Sequence, residues 1–149
     1  MADKQNILFR LRSIENESTT DNISAIDLSQ LSGDNLVFQY KMETLVKLSS
    51  DEIIAIPSIK YSYEGHSLFE ITVHFVFSVQ NLKSIIKLDA ERNEINVSAD
   101  IFPTIVSASY SSLRGIVYAR TIDTPLNVFP IPMIEISTLM SKNGINVIE

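Results

Sequence analysis

The sequence predicts an α+β fold: a four-stranded antiparallel sheet with a long C-terminal helix and a short final helix packed on one face. Three observations lead to it. Four segments in the first half of the chain alternate apolar and polar residues with period two, the mark of strands with one wet face. Turns too short for a crossover join the last three, so these form an antiparallel meander. The period then changes to that of a helix over residues 102–117. With 149 residues, 45% of them hydrophobic, the chain reads as one domain able to bury roughly 70% of its unfolded-state surface.

The first strand is "NILFRLRSIENES". Ile7, Phe9 and Leu11 point one way and Arg10 and Arg12 the other, and the strand is expected to join the edge of the meander. "TTDNISAIDLSQLSGDN" is rich in Ser, Thr, Asn and Asp and reads as a long connection with one helical turn. In "LVFQYKMETLVKL", Leu36, Phe38, Tyr40, Met42 and Val46 form one face, while Gln39, Lys41, Glu43 and Lys47 form the other. After "SSD" comes "EIIAIPSIKYSY", with Ile53, Ala55, Ile59, Tyr61 and Tyr63 in phase. Pro57 falls in that phase and removes a ladder donor, which predicts a bulge, an unpaired edge position or a break. "EGHS" turns the chain into "LFEITVHFVFSV". There Phe69, Ile71, Val73, Phe75, Phe77 and Val79 are apolar throughout, and Leu68, Glu70, Thr72, His74, Val76 and Ser78 make the more polar face.

"QNLKSIIKLDAERNEINVSAD" fits either a short helix from Leu82 to Leu88 or an extended pair turning at "ERN". In the long helix Phe102, Ile105, Val106, Leu113, Ile116 and Val117 form the stripe that packs on the sheet, with Asp100 as N-cap and Pro103 in the first turn. A second stripe holds only small side chains: Ala108, Ser111, Ser112, Gly115 and Ala119. A glycine inside a helix costs about 1 kcal/mol relative to alanine. "TIDTPLNVFPIPM" carries Pro125, Pro130 and Pro132 and is read as irregular, and "MIEISTLMSKN" as a short final helix ended by Gly144.

Chemistry is sparse. A net charge of −6 argues against nucleic acid as a partner. The absence of cysteine removes disulfides, zinc ribbons and thiol catalysis. No secretory h-region and no run near the ~20 apolar residues of a membrane span are found, so a cytoplasmic protein without membrane insertion is expected. His66 and His74 have no partner at metal-ligand spacing, and the four glycines make no phosphate-binding loop. Carboxylate pairs such as Glu15 with Glu17 read as solvated surface. The expectation is a protein without catalytic residues, metal or cofactor. What remains is apolar surface. The last sheet strand, the long helix and "NVFPIPMI" carry more apolar groups than one sheet-and-helix core needs. Either they complete a two-layer core, or they add oligomer contacts and a groove for apolar ligands or peptides. The second face of the sheet is expected to be wet.

At these residues the chain resembles the bacterial export chaperone SecB and its SecB-like relatives. The resemblance rests on "FP" at Phe102 and Pro103, the helix with Arg114 and Gly115, the stretch "PLNVFPIPM" and the strand "LFEITVHFVFSV". It implies an ATP-independent holdase for unfolded or non-native polypeptides, assembled as a homotetramer (a dimer of dimers). Members of the family deliver precursors to the SecA motor or stabilise an antitoxin. The client groove so implied is lined by Val128, Phe129, Ile131, Met133 and Ile134 facing the sheet. Leu68 and Glu70, with Glu17 more loosely, match positions that contact SecA. Ser13 stands where the family has an acid, and "SKNGINVIE" carries a single acid, so the resemblance is to SecB-like relatives rather than to the housekeeping exporter. In this family the long helices meet between dimers, which makes Ala108, Ser111, Ser112, Gly115 and Ala119 the expected oligomer interface. The rival readings are a hot-dog-like thioesterase, a small-ligand-binding protein and a non-chaperone adaptor.

Overall fold

The four alternating segments pair as their period demands. The computed structural model describes residues 8–89, 94–97, 101–129, 131–135, 138 and 145–148. Strands β1 (Phe9–Asp21), β2 (Leu36–Lys47), β3 (Glu52–Tyr63) and β4 (His66–Val79) form an antiparallel sheet in the order β1-β4-β3-β2, with β1 at the expected edge. Glu64 and Gly65 join β3 to β4 with φ of 50° and 77°, the doubly positive pattern of a type I′ hairpin loop, which suits glycine at the second position. Pro57 keeps its register opposite Met42 of β2. Pairing with β4 lapses at Ile56 and Pro57 and resumes at Ser58 without a shift. The missing N–H therefore interrupts one ladder and leaves the strand whole.

Residues 82–97 combine the two alternatives left open by the sequence. One helical turn, α1 (Leu82–Ile85), leads into a hairpin of β5 (Ile86–Asp89) and β6 (Glu94–Val97). Its turn at 90–93 lies outside the described residues, as does the expected N-cap Asp100. The long helix is α2 (Ile101–Thr121), packed mainly over β3 and β4. Its buried residues include Phe102, Ile105, Val106, Leu113 and Val117 as expected, with Ser109, Tyr110 and Thr121 added; Ile116 is only half-buried. The buried hydroxyls of Ser109 and Thr121 donate to the carbonyls of Ile105 and Val117 at 2.7 and 2.8 Å, so neither is left unsatisfied.

Strand register builds the core in cross-strand rows. Val46, Ile53 and Phe77 form one row, which Leu11 continues at the exposed edge, and Phe38, Tyr61 and Phe69 form another. The far face departs from the expected wet surface. Leu45, Ile54 and Val76 stand opposite one another across three strands, and Ile54, Ile56 and Val76 are buried together. Leu45 packs against this second cluster from β2.

A fifth strand, β7 (Ile145–Ile148), adds to the outer side of β2, parallel to Thr44–Lys47. The sequence predicts no strand here. Four residues are too few for their alternation to stand out, although Ile145, Val147 and Ile148 are strand formers. The expected final helix and its stop at Gly144 lie mostly outside the described residues; Ile134 and Glu135 are not helical, and Thr138 is.

Candidate functional site

The chain leaves α2 through Asp123, whose φ is 67°, and enters a short 3-10 turn at Pro125–Val128. This corrects the expectation of wholly irregular structure: Pro125 occupies the first position of the turn, where a missing N–H costs nothing. Buried Leu126 anchors the turn to the core. Phe129 is extended, residues 131–135 have no regular structure, and three side chains hold carbonyls of this segment. Tyr61 Oη donates to the carbonyl of Phe129 at 3.4 Å, an Arg114 Nη to that of Ile131 at 3.3 Å, and Tyr110 Oη to that of Pro132 at 2.9 Å. One donor comes from the sheet and two come from the helix. They take the place of the ladder that a proline-rich segment cannot form.

Between this strap and α2 lies a cleft of about 330 Å³. Tyr61 and Val117 lie at the sheet side, Arg114 and Tyr118 line it from the helix, and Phe129 and Ile131 line it from the strap. Ser111 and Gly115 complete the helical wall, and a Cβ built on Gly115 would meet nothing within 4 Å. Burial pushes the Tyr61 phenol up to about 12. The Tyr110 phenol is also pushed up to about 12, chiefly by burial, against the pull of the neighbouring Arg114 guanidinium. Both phenols therefore stay neutral donors at ordinary pH. Arg114 Nε is buried and has no hydrogen-bond partner. The ion pairs among the described residues are Arg12–Glu52, Lys41–Glu43 and Arg120–Glu17, and none involves Arg114.

The predicted groove residues divide. Phe129 and Ile131 line the cleft, Val128 and Met133 stand out from the strap at 75% and 85% exposure, and Ile134 packs against the main core. The predicted ridge divides as well. Ala108, Ser111, Ser112, Gly115 and Ala119 are all exposed, but Ser111 and Gly115 also belong to the cleft wall.

Of the predicted partner-contact residues, Leu68 is not at the surface. Leu68 was placed on the polar face by strict alternation, and its side chain is instead fully buried in the core. Between Tyr61↔Phe69 and Ser62↔Ser67 the register shifts, which makes Leu68 the extra residue of a bulge and carries it inward beside Phe69. Glu70 keeps the expected face, opposite Lys60 of β3 and Thr20 of β1. Glu17 turns toward α2, where Arg120 binds it at 2.6 Å.

Tyr61, Arg114 and Tyr118 were not among the predicted groove residues. The helical spacing of Ser111, Arg114, Gly115 and Tyr118, displaced from the buried stripe, is the signal that could have found the helical wall. Among the described residues no group of three or more His, Cys, Asp or Glu side chains could hold a metal ion, and no helix is long and apolar enough to cross a membrane. The chain matches no known family model and no curated protein.

Proposed function

We propose that the chain is an ATP-independent holdase of the SecB-like kind, binding unfolded polypeptide along the cleft between α2 and the strap. One observation carries the reading. An open, largely apolar cleft is bordered by a strap that leaves Val128 and Met133 in solvent, where a compact domain gains nothing by placing them. An unfolded client offers apolar side chains, whose burial is worth about 25 cal/mol per Å². Binding the non-native chain by mass action holds it away from folding and aggregation. The strap has its shape set by proline and by its three tethers, so little order need be lost when a client binds.

The exposed small-residue stripe of α2 serves as the contact with a second copy, within a cytoplasmic homotetramer. SecA or an antitoxin is the further partner to test, with Glu70 and Glu17 as the acidic contacts. Crosslinking of a reduced, unfolding client to photoprobes at Phe129 and Met133 tests the cleft. Strong labelling there and weak labelling at Lys47 is expected; equal labelling at all three sites overturns it. Failure to suppress aggregation of the same client favours the enzyme or adaptor readings.

A further inference from the structure

The geometry points to a carboxylate-binding subsite at Arg114, a property of the cleft that apolar burial alone does not supply; it rests on the cleft being the client site. Arg114 sits on the cleft wall, on the fourth turn of α2, and is largely shielded from solvent. Its Nε is buried without any hydrogen-bond partner. Among the described residues its guanidinium donates to the Ile131 carbonyl, at a long 3.3 Å. No acid among the described residues forms an ion pair with it. Its charge acts on the Tyr110 phenol, which burial holds neutral.

A cation in this position is costly. Partial desolvation weakens its hydration, and no acid among the described residues pairs with it. Two other arginines among the described residues show the alternative: Arg12 and Arg120 each meet a carboxylate at 2.6 Å. A neutral carbonyl cannot offset the guanidinium charge. A carboxylate in the cleft can, accepting from the terminal Nη groups. The surrounding aromatic and aliphatic walls, Tyr61, Tyr118, Phe129 and Ile131, then require an apolar group beside the acid. At about 330 Å³ the cleft has room for one or two side chains. The occupant is thus an apolar polypeptide segment that presents a carboxylate, either at its C-terminus or on an Asp or Glu flanked by apolar residues.

Fluorescence anisotropy on the full chain tests this with three short fluorescein-labelled peptides of alternating Ser and Phe. One ends in Leu with a free carboxylate, one is its C-terminal amide, and one is the amide with an internal Glu in place of Ser. The free acid is expected to bind about tenfold tighter than the amide at low salt, with the gap narrowing as salt is raised. If the Glu peptide binds like the free acid, the acid can come from a side chain; if it binds like the amide, the subsite reads chain ends. Arg114→Gln is expected to abolish the discrimination and Arg114→Lys, which keeps charge but loses the planar fork, to retain only part of it. Should Arg114→Gln fail to fold, the wild-type comparison of acid with amide still decides. Equal affinity for all three peptides overturns the carboxylate subsite and leaves the cleft reading standing. No binding of any peptide overturns both.

Discussion

Gly115 sits in mid-helix with no residue near the position of its missing Cβ, so nothing inside the domain requires a glycine there. Gly115→Ala is therefore expected to stabilise the isolated fold by about 0.5–1 kcal/mol, raising Tm by roughly 2–4 °C in a thermal melt. A loss of stability would show that an unseen contact crowds the site. The two raised phenols make a second prediction at this scale. A tyrosine whose folded pKa of about 12 lies above its ordinary value of 10.0 holds its proton more tightly folded than unfolded. Its contribution is fully present below pH ~10 and is lost as pH rises toward ~12. Urea midpoints should stay level to about pH 10 and then fall, and Tyr61→Phe should flatten that fall, since phenylalanine has no proton to lose. An unchanged alkaline slope in the variant would assign the loss to other groups. Arg12 with Glu52 differs from the exposed Lys41–Glu43 pair in that the Glu52 side chain is only 11% exposed, so breaking it strands a shielded carboxylate.

Among the elements, the strap and β1 depend on side chains more than on ladders. The strap lies beside α2 without a strand neighbour among the described residues, and its position follows from Tyr61, Tyr110 and Arg114. β1 is exposed along almost its whole length, bulged between Leu11 and Ser13 and again between Glu15 and Ser18. Phe9, Leu11 and Ile14 share rows with the core residues Val79, Phe77 and Phe75 yet remain 36%, 46% and 54% exposed, because α2 lies mainly over β3 and β4. The Arg120–Glu17 pair is the polar link from the last turn of α2 to this edge, a position in which a cation also complements the helix dipole. Tyr118, with 60% of its surface exposed, marks the flank of α2 from which a client would reach the cleft.

For the whole molecule, the proposed assembly and client surfaces lie on neighbouring parts of one helix, and two substitutions separate them. Ala119 belongs to the exposed stripe but not to the cleft, whereas Gly115 belongs to both. With a second copy seated on the stripe, Ala119→Leu and Gly115→Leu should both lower the molecular mass measured by light scattering, through overpacking of the contact. Only Gly115→Leu should also reduce client labelling at Phe129, because its side chain projects into the cleft. An unchanged mass in both variants would leave the stripe without a role in assembly.

The sequence by itself determined the period of each strand, the apolar face it turns to the helix, the stripe by which α2 packs and the small residues it leaves outside. These are relations between residues two to four positions apart, and water sorts them by local periodicity alone. Only the tertiary structure decided that Leu68 is core, that Ile145–Ile148 adds a strand to β2, and that Arg114 stands in a cleft with no ion-pair partner among the described residues. A bulge is set by the neighbouring strand's register, and a four-residue strand by the edge it finds. The cleft is set by tethers between residues as far apart as Tyr61 and Phe129, 68 positions along the chain. Such contacts leave no periodic trace, because their energy depends on where distant segments meet and not on the order of residues within either one.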